Sequence, residues 1–137
     1  MRLDNAIPGK ECEVLEPGSF WQHTGVDMTE DKLQKDIVKA LRKILPDTVL
    51  MYHCPNGGKR SARSGAQFKN MGVLPGVPDL CFVLPSGRAA FIEIKQPGGK
   101  LSTAQQTFGL TVTNNGGFWN WTDSVDGAIN IVKSWEI

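Results

Sequence analysis

Leu33, Ile37, Leu41, Ile44 and Leu45 recur three to four residues apart, the spacing that lines apolar side chains along one face of an α-helix. The pattern predicts a helix over about residues 30–45. Thr29 suits its N-cap, Glu30 and Asp31 suit its first turn, and Pro46 ends it. "TVLMYH" then predicts a strand at 48–53. Two apolar runs near 79–84 and 89–95, joined by a Pro-Ser-Gly turn, predict a hairpin. Ser102 opens a helix of about twelve residues. "GGFWNWT" predicts a fourth strand, and "SVDGAINIVKSW" a closing helix with Ala128, Ile131, Val132 and Trp135 turned inward.

The order is helix, three strands, helix, strand, helix (α-β-β-β-α-β-α). It predicts an α/β sandwich around a mixed sheet rather than an alternating βαβ fold. The sheet should begin as a meander and gain its fourth strand through a helical crossover. Between the first two strands lies "CPNGGKRSARSGAQFKNMG", rich in Gly and Ser, which predicts a mobile loop. Residues 1–28 show no clear period. They are expected to form an extension of a single domain over 29–137, with short strand pieces at "CEVLE" and "SFWQH" and Trp21 as an anchor.

Composition narrows the classes. A chain of 137 residues that is 40% hydrophobic can build one core without staples. No apolar run approaches the ~20 residues of a membrane span, and a signal-peptide core is not evident. Cys12, Cys54 and Cys81 are odd in number and far apart, which suggests neither a disulfide framework nor a zinc cluster. Cys81 reads as a small core residue. A reducing, cytoplasmic setting is the expectation.

Charge is uneven along the chain. Residues 1–31 hold two basic and seven acidic residues, residues 32–100 twelve basic and four acidic, and the remainder one and three. The basic middle points to a polyanionic partner, although charge runs also serve as solvated faces.

Three charged residues do not fit an ordinary hairpin. Alternation along the second strand places Phe91, Glu93 and Lys95 on one face and Ile92 and Ile94 on the other. If Leu84 and Arg88 flank a three-residue turn, paired residue numbers sum to 172, and Asp79 stands opposite Glu93. Directly opposed Cβ atoms are only about 5 Å apart, where two carboxylates repel. A divalent cation reverses that repulsion. Mg²⁺ suits the pair, because it takes oxygen ligands and keeps several waters. Lys95, on the same face, can orient a water and offset developing negative charge. These parts suit phosphodiester hydrolysis. Helical phase brings Glu30 into the stripe beside Leu33 and Ile37, with Gln34 at its edge, as a third carboxylate aimed at whatever the helix covers. The competing view makes Asp79 a strand cap, Glu93 and Lys95 a solvated stripe, and Glu30 a dipole-compensating acid.

"GVPDL" with "FIEIKQPGGKLSTAQ" resembles the VRR-NUC nucleases, a branch of the PD-(D/E)xK superfamily with restriction-endonuclease-like cores. The resemblance covers about residues 30–123, including "PNGGKRS" and the Gly-rich lead-in to the fourth strand. It implies a Mg²⁺-dependent DNA endonuclease in which Mn²⁺ substitutes. By position, Asp79 and Glu93 resemble metal ligands, Lys95 the catalytic lysine, and Glu30 the helix glutamate that completes the site. The carbonyl of Ile94 would be a further ligand. The small stand-alone form resembles phage- or prophage-borne members, with branched DNA such as four-way junctions as the implied substrate.

Gln105 has two readings. "STAQ" at 102–105 is a capping box that accounts for Ser102 and Gln105 without function. The family, however, has a glutamine at this point near its active site, which places Gln105 among the catalytic candidates ahead of Gln106. His23 and His53 are too far apart for an evident ligand pair, and "PNGGKRS" lacks P-loop spacing. Trp119 and Trp121 alternate on the fourth strand, where packing is favoured over stacking on bases. Lys59, Arg60, Arg63 and Lys69 form an acid-free stretch suited to following a DNA backbone. Two equivalent scissile strands in a junction suggest a twofold homodimer. The alternatives are a nucleic-acid-binding module of the same fold without catalysis, and a structural protein with a coincidental motif.

Overall fold

The computed structural model describes residues 28–55 and 62–137. Helix α1 spans Met28–Ile44, strand β1 Leu50–His53, helix α2 Ala62–Asn70, strand β2 Leu80–Val83 and strand β3 Ala89–Ile94. Helix α3 (Thr103–Asn114), strand β4 (Phe118–Thr122) and helix α4 (Val125–Ser134) complete the chain. The described strands form one mixed sheet in the order β1-β2-β3-β4. The first three are antiparallel, and β4 lies parallel to β3 after the α3 crossover. This is the expected α/β sandwich, with one helix more than the sequence pattern predicts.

The hairpin turn sets the register that matters. Leu84 N–H donates to the Arg88 carbonyl at 3.0 Å, and Gly87 N–H donates to the Leu84 carbonyl at 2.8 Å. Gly87 closes the three-residue turn at φ +82, a left-handed conformation that other residues adopt only with strain. Leu80 therefore faces Ile92 and Cys81 faces Phe91, and paired numbers sum to 172 as the turn length predicts.

Alternation divides the sheet into two faces. Leu80, Phe82, Ala90, Ile92 and Ile94 pack against Ile37, Leu41 and Leu45 from the first helix and its end, and against Ala128, Ile131, Val132 and Trp135 from the last. Phe82 and Phe118 both meet the Trp135 ring, at centroid distances of 4.9 and 6.1 Å. Helix α3 lies on the other face, where Phe108 meets Phe91 edge-on at 5.0 Å. Burying the apolar face contributes about 25 cal/mol per Å² removed from water, so the α1–sheet–α4 layer is the main store of stability.

Three expectations need correction. Ala62–Asn70 is helical, not loop, although Gly65 and two serines in its neighbourhood lower local propensity. Thr29 lies inside α1 rather than capping it. Ile44, the last residue of that helix, is exposed, and Leu45 takes the buried position. The strand pieces and Trp21 anchor expected within residues 1–28, like Lys59 and Arg60, lie outside the described residues.

Candidate active site

The site forms where β2 begins and β3 ends. Pro78 is fully buried, and Asp79 follows it immediately before β2. The β1–β2 register continues one step past His53 and Leu80, with Cys54 N–H donating to the Asp79 carbonyl at 3.3 Å. His53 Nδ1–H donates to the same carbonyl at 2.7 Å. Across the hairpin, Ile94 N–H donates to Asp79 Oδ2 at 2.8 Å. Regular β2–β3 pairing stops at Leu80 and Ile92, so the carboxylate takes the place of the missing ladder acceptor. Asp79 is thus held at its backbone by β1 and at its side chain by β3.

Glu93 stands beside it on the α3 face and is only 4% exposed. Its Oε1 accepts from Gln105 Nε2 at 2.9 Å and lies 3.7 Å from Lys95 Nζ. Its Oε2 is buried and receives no hydrogen bond from a protein N–H, while the Asp79 carboxyl lies within reach to share a proton with the Glu93 carboxyl. A carboxylate oxygen without such a donor in a protein interior costs several kcal/mol, so such atoms call for an explanation. Burial, followed by the Asp79 charge, pushes the Glu93 carboxyl up to about 8; Lys95 opposes the shift and Glu30 adds to it. Burial likewise raises Asp79, opposed by the Ile94 N–H, His53 and Lys95. The Lys95 side chain is 15% exposed, with its ammonium beside the Glu93 carboxyl.

Gln105 forms the capping box and also reaches Glu93. Ser102 Oγ accepts from the Gln105 N–H at 3.1 Å, and Gln105 Oε1 accepts from the Ser102 N–H at 2.8 Å, which completes the capping box. The amide nitrogen of the same side chain remains to bond Glu93. The "PG" of residues 75–76 fixes the helix that carries it. Gly76 has φ +84, and a Cβ there would lie 2.5 Å from the Ala104 carbonyl oxygen. Gln106 is directed elsewhere, donating to the Leu101 carbonyl at 3.3 Å.

The structure therefore brings Asp79, Glu93, Lys95 and Gln105 together, with Ile94 supplying a backbone donor. Glu30, in the first turn of α1, is near enough for its charge to act on Glu93. Among the described residues no three His, Cys, Asp or Glu side chains converge closely enough to form a ligand set by themselves. Lys69 is exposed in the last turn of α2, the helix that also carries Arg63. His53 is the residue that sequence reasoning missed. Its signal was the β1–β2 register, which places it next to Asp79, rather than any spacing to His23.

Asp79 and Glu93 are the described residues that could hold a divalent cation. Two adjacent carboxylates, one buried with an oxygen that receives no N–H, form a hard oxygen donor set of the kind that holds Mg²⁺ while most of its waters remain.

A mixed sheet carrying an aspartate before one strand and a Glu-x-Lys on the next defines a nuclease-like fold, consistent with the PD-(D/E)xK superfamily. The model of the VRR-NUC domain matches residues 7–125, and the chain belongs to that family. The match begins within the segment assigned to the N-terminal extension. The fold is similar to a solved "VRR_NUC domain protein" at 23% identity, covering 80% of this chain and 89% of that one, with a TM-score of 0.61. It is also similar to a solved "VRR_NUC domain" at 19% identity, covering 78% and 97%, with a TM-score of 0.53. No curated protein matches the chain.

Proposed function

We propose that the protein is a metal-dependent DNA nuclease that hydrolyses phosphodiester bonds. The observation that carries this reading is the buried Glu93 carboxylate, with one oxygen that receives no N–H, set between Asp79 and Lys95. Asp79, Glu93 and the Ile94 carbonyl would hold Mg²⁺ or Mn²⁺, and Glu30 would act on the same ion through its charge. When bound, the ion supplies Lewis-acid polarisation of a phosphoryl oxygen and acidifies a water.

The chain's own residues supply the rest. The β1 and β3 hydrogen bonds hold Asp79 at fixed depth, and Gln105 fixes the rotamer of Glu93. Lys95 orients the attacking water and offsets the negative charge that builds on the phosphate. A binding module without catalysis is the weaker alternative, because it would keep the cost of a buried, repelling acid pair without using it.

Within this reading the substrate is branched DNA such as a four-way junction, and the protein acts as a twofold homodimer. Lys59, Arg60, Arg63 and Lys69 supply sequence-independent contacts to the phosphate backbone. Purified protein incubated with linear, flapped and four-way DNA should cleave with Mg²⁺ or Mn²⁺ and stop with EDTA. Cleavage that persists in EDTA, or none with any metal or substrate, would remove this reading.

A further inference from the structure

The two tryptophans of β4 point to the same face of the sheet, yet the structure gives them opposite fates. Trp119 sits beside Phe91 and is covered by α3: a Cβ at Gly109 would lie 2.4 Å from its Cδ2, so the ring rests directly on the helix backbone. Trp121 is paired with Glu93 in the parallel register, one strand spacing of about 4.8 Å away. It is 41% exposed and makes no ring contact among the described residues. Its backbone is fixed, with N–H donating to Asn120 Oδ1 at 2.9 Å. A partly exposed indole is therefore carried on a paired strand, on the face of the sheet that also bears Glu93.

In the nuclease reading a phosphate is held beside Lys95, and the nucleoside attached to it would lie on the side of the sheet from which Trp121 projects. A base inside a continuous duplex has both faces occupied by its neighbours and cannot stack on the indole. An unstacked base can, and stacking on an aromatic side chain is tolerant of sequence because every base has a π-face. We propose that Trp121 is a recognition residue that stacks on an unpaired nucleobase flanking the scissile phosphate, and so favours DNA with bases displaced from the helix over continuous duplex. The inference rests on the nuclease reading above.

The test uses the full-length protein with Ca²⁺ in place of Mg²⁺. The probes are a continuous duplex and the same duplex opened by a short unpaired tract containing 2-aminopurine. Wild type should bind the opened DNA more tightly and quench the 2-aminopurine fluorescence. Trp121→Ala should bind the opened DNA roughly five- to a hundredfold more weakly, the range of single-base stacking losses, with duplex affinity unchanged. Trp121→Phe should keep most of the preference and quenching. Trp121→Leu, which keeps apolar bulk without a π-face, should lose both.

Equal preference in wild type, Trp121→Ala and Trp121→Leu would overturn the inference while leaving the nuclease reading standing. Failure of wild type to bind either DNA would overturn both. Trp121 is partly exposed, so the conservative Trp121→Phe should melt close to the wild type. Melting more than a few degrees lower in Trp121→Phe would identify a packing role and also overturn the inference.

Discussion

Gln105 donates to Glu93 Oε1 at 2.9 Å while its own Oε1 accepts from the Ser102 N–H at 2.8 Å, so one side chain both starts α3 and holds the buried acid. The two tasks use different atoms and can be separated by substitution. Gln105→Glu keeps the cap acceptor but presents a carboxylate to Glu93. It should lose at least about tenfold in turnover, because one oriented, charge-assisted hydrogen bond is replaced by a repelling carboxylate. Ser102→Ala should do the reverse, costing about 1 kcal/mol of stability with activity largely kept. Melting curves and single-turnover rates on both variants check the separation.

Glu93 and Asp79 make the metal-free protein sensitive to pH. The folded-state value of Glu93 is raised from 4.5 to about 8, so the folded chain holds a proton that the unfolded chain releases. Stability is therefore fully present below about pH 4.5 and is lost as pH rises through about 8, by on the order of a few kcal/mol. The raised Asp79 carboxyl acts in the same direction. In EDTA the melting temperature should fall across this window, and Glu93→Gln should flatten the fall. Adding Mg²⁺ should stabilise the wild type more at pH 8 than at pH 5, because ligands must be deprotonated to bind. A flat profile in EDTA would show that the acid pair is not under this stress.

Asp79→Ala and Glu93→Ala should abolish cleavage while leaving the protein folded, since either change relieves repulsion in the metal-free sheet. Titration calorimetry should show weakened Mg²⁺ and Mn²⁺ binding in both. Wild-type turnover in either variant would remove the metal-site proposal.

Gly76→Ala tests how the loop before Asp79 is coupled to α3. The new methyl group would meet the Ala104 carbonyl at 2.5 Å and the backbone already has φ +84. Both effects destabilise, together by about 2–4 kcal/mol. Because Ala104 adjoins Gln105, turnover should fall as well. A variant that melts with the wild type would show that this loop gives way freely.

Much of this arrangement was legible because local chemistry fixed it. The three-residue turn set the 172 register and placed Asp79 beside Glu93; Ser102 and Gln105 marked the start of α3; strand alternation put Glu93 and Lys95 together. What stayed hidden depended on packing between elements. Trp119 and Trp121 have the same phase and composition, and only the path of α3 over Gly109 distinguishes them. His53 acquires its partner from strand pairing with no spacing signal. The α2 helix was obscured by Gly65 and neighbouring serines, which read locally as loop. Helical phase pointed Glu30 to the stripe that α1 buries, but that stripe packs on the Ile92 and Ile94 face, away from Glu93. The charge of Glu30 nonetheless acts on Glu93, from the first turn of the helix.

The most direct measurement of the central claim is a paired assay of Lys95→Ala: single-turnover cleavage of DNA in Mg²⁺ alongside calorimetric Mg²⁺ titration. Lys95 lies 3.7 Å from Glu93 Oε1 and is assigned to water and phosphate charge, not to the metal. The account predicts cleavage reduced by a hundredfold or more, about 2.7 kcal/mol of transition-state stabilisation, with Mg²⁺ binding retained. Cleavage at the wild-type rate would contradict it and leave Lys95 as a structural partner of Glu93.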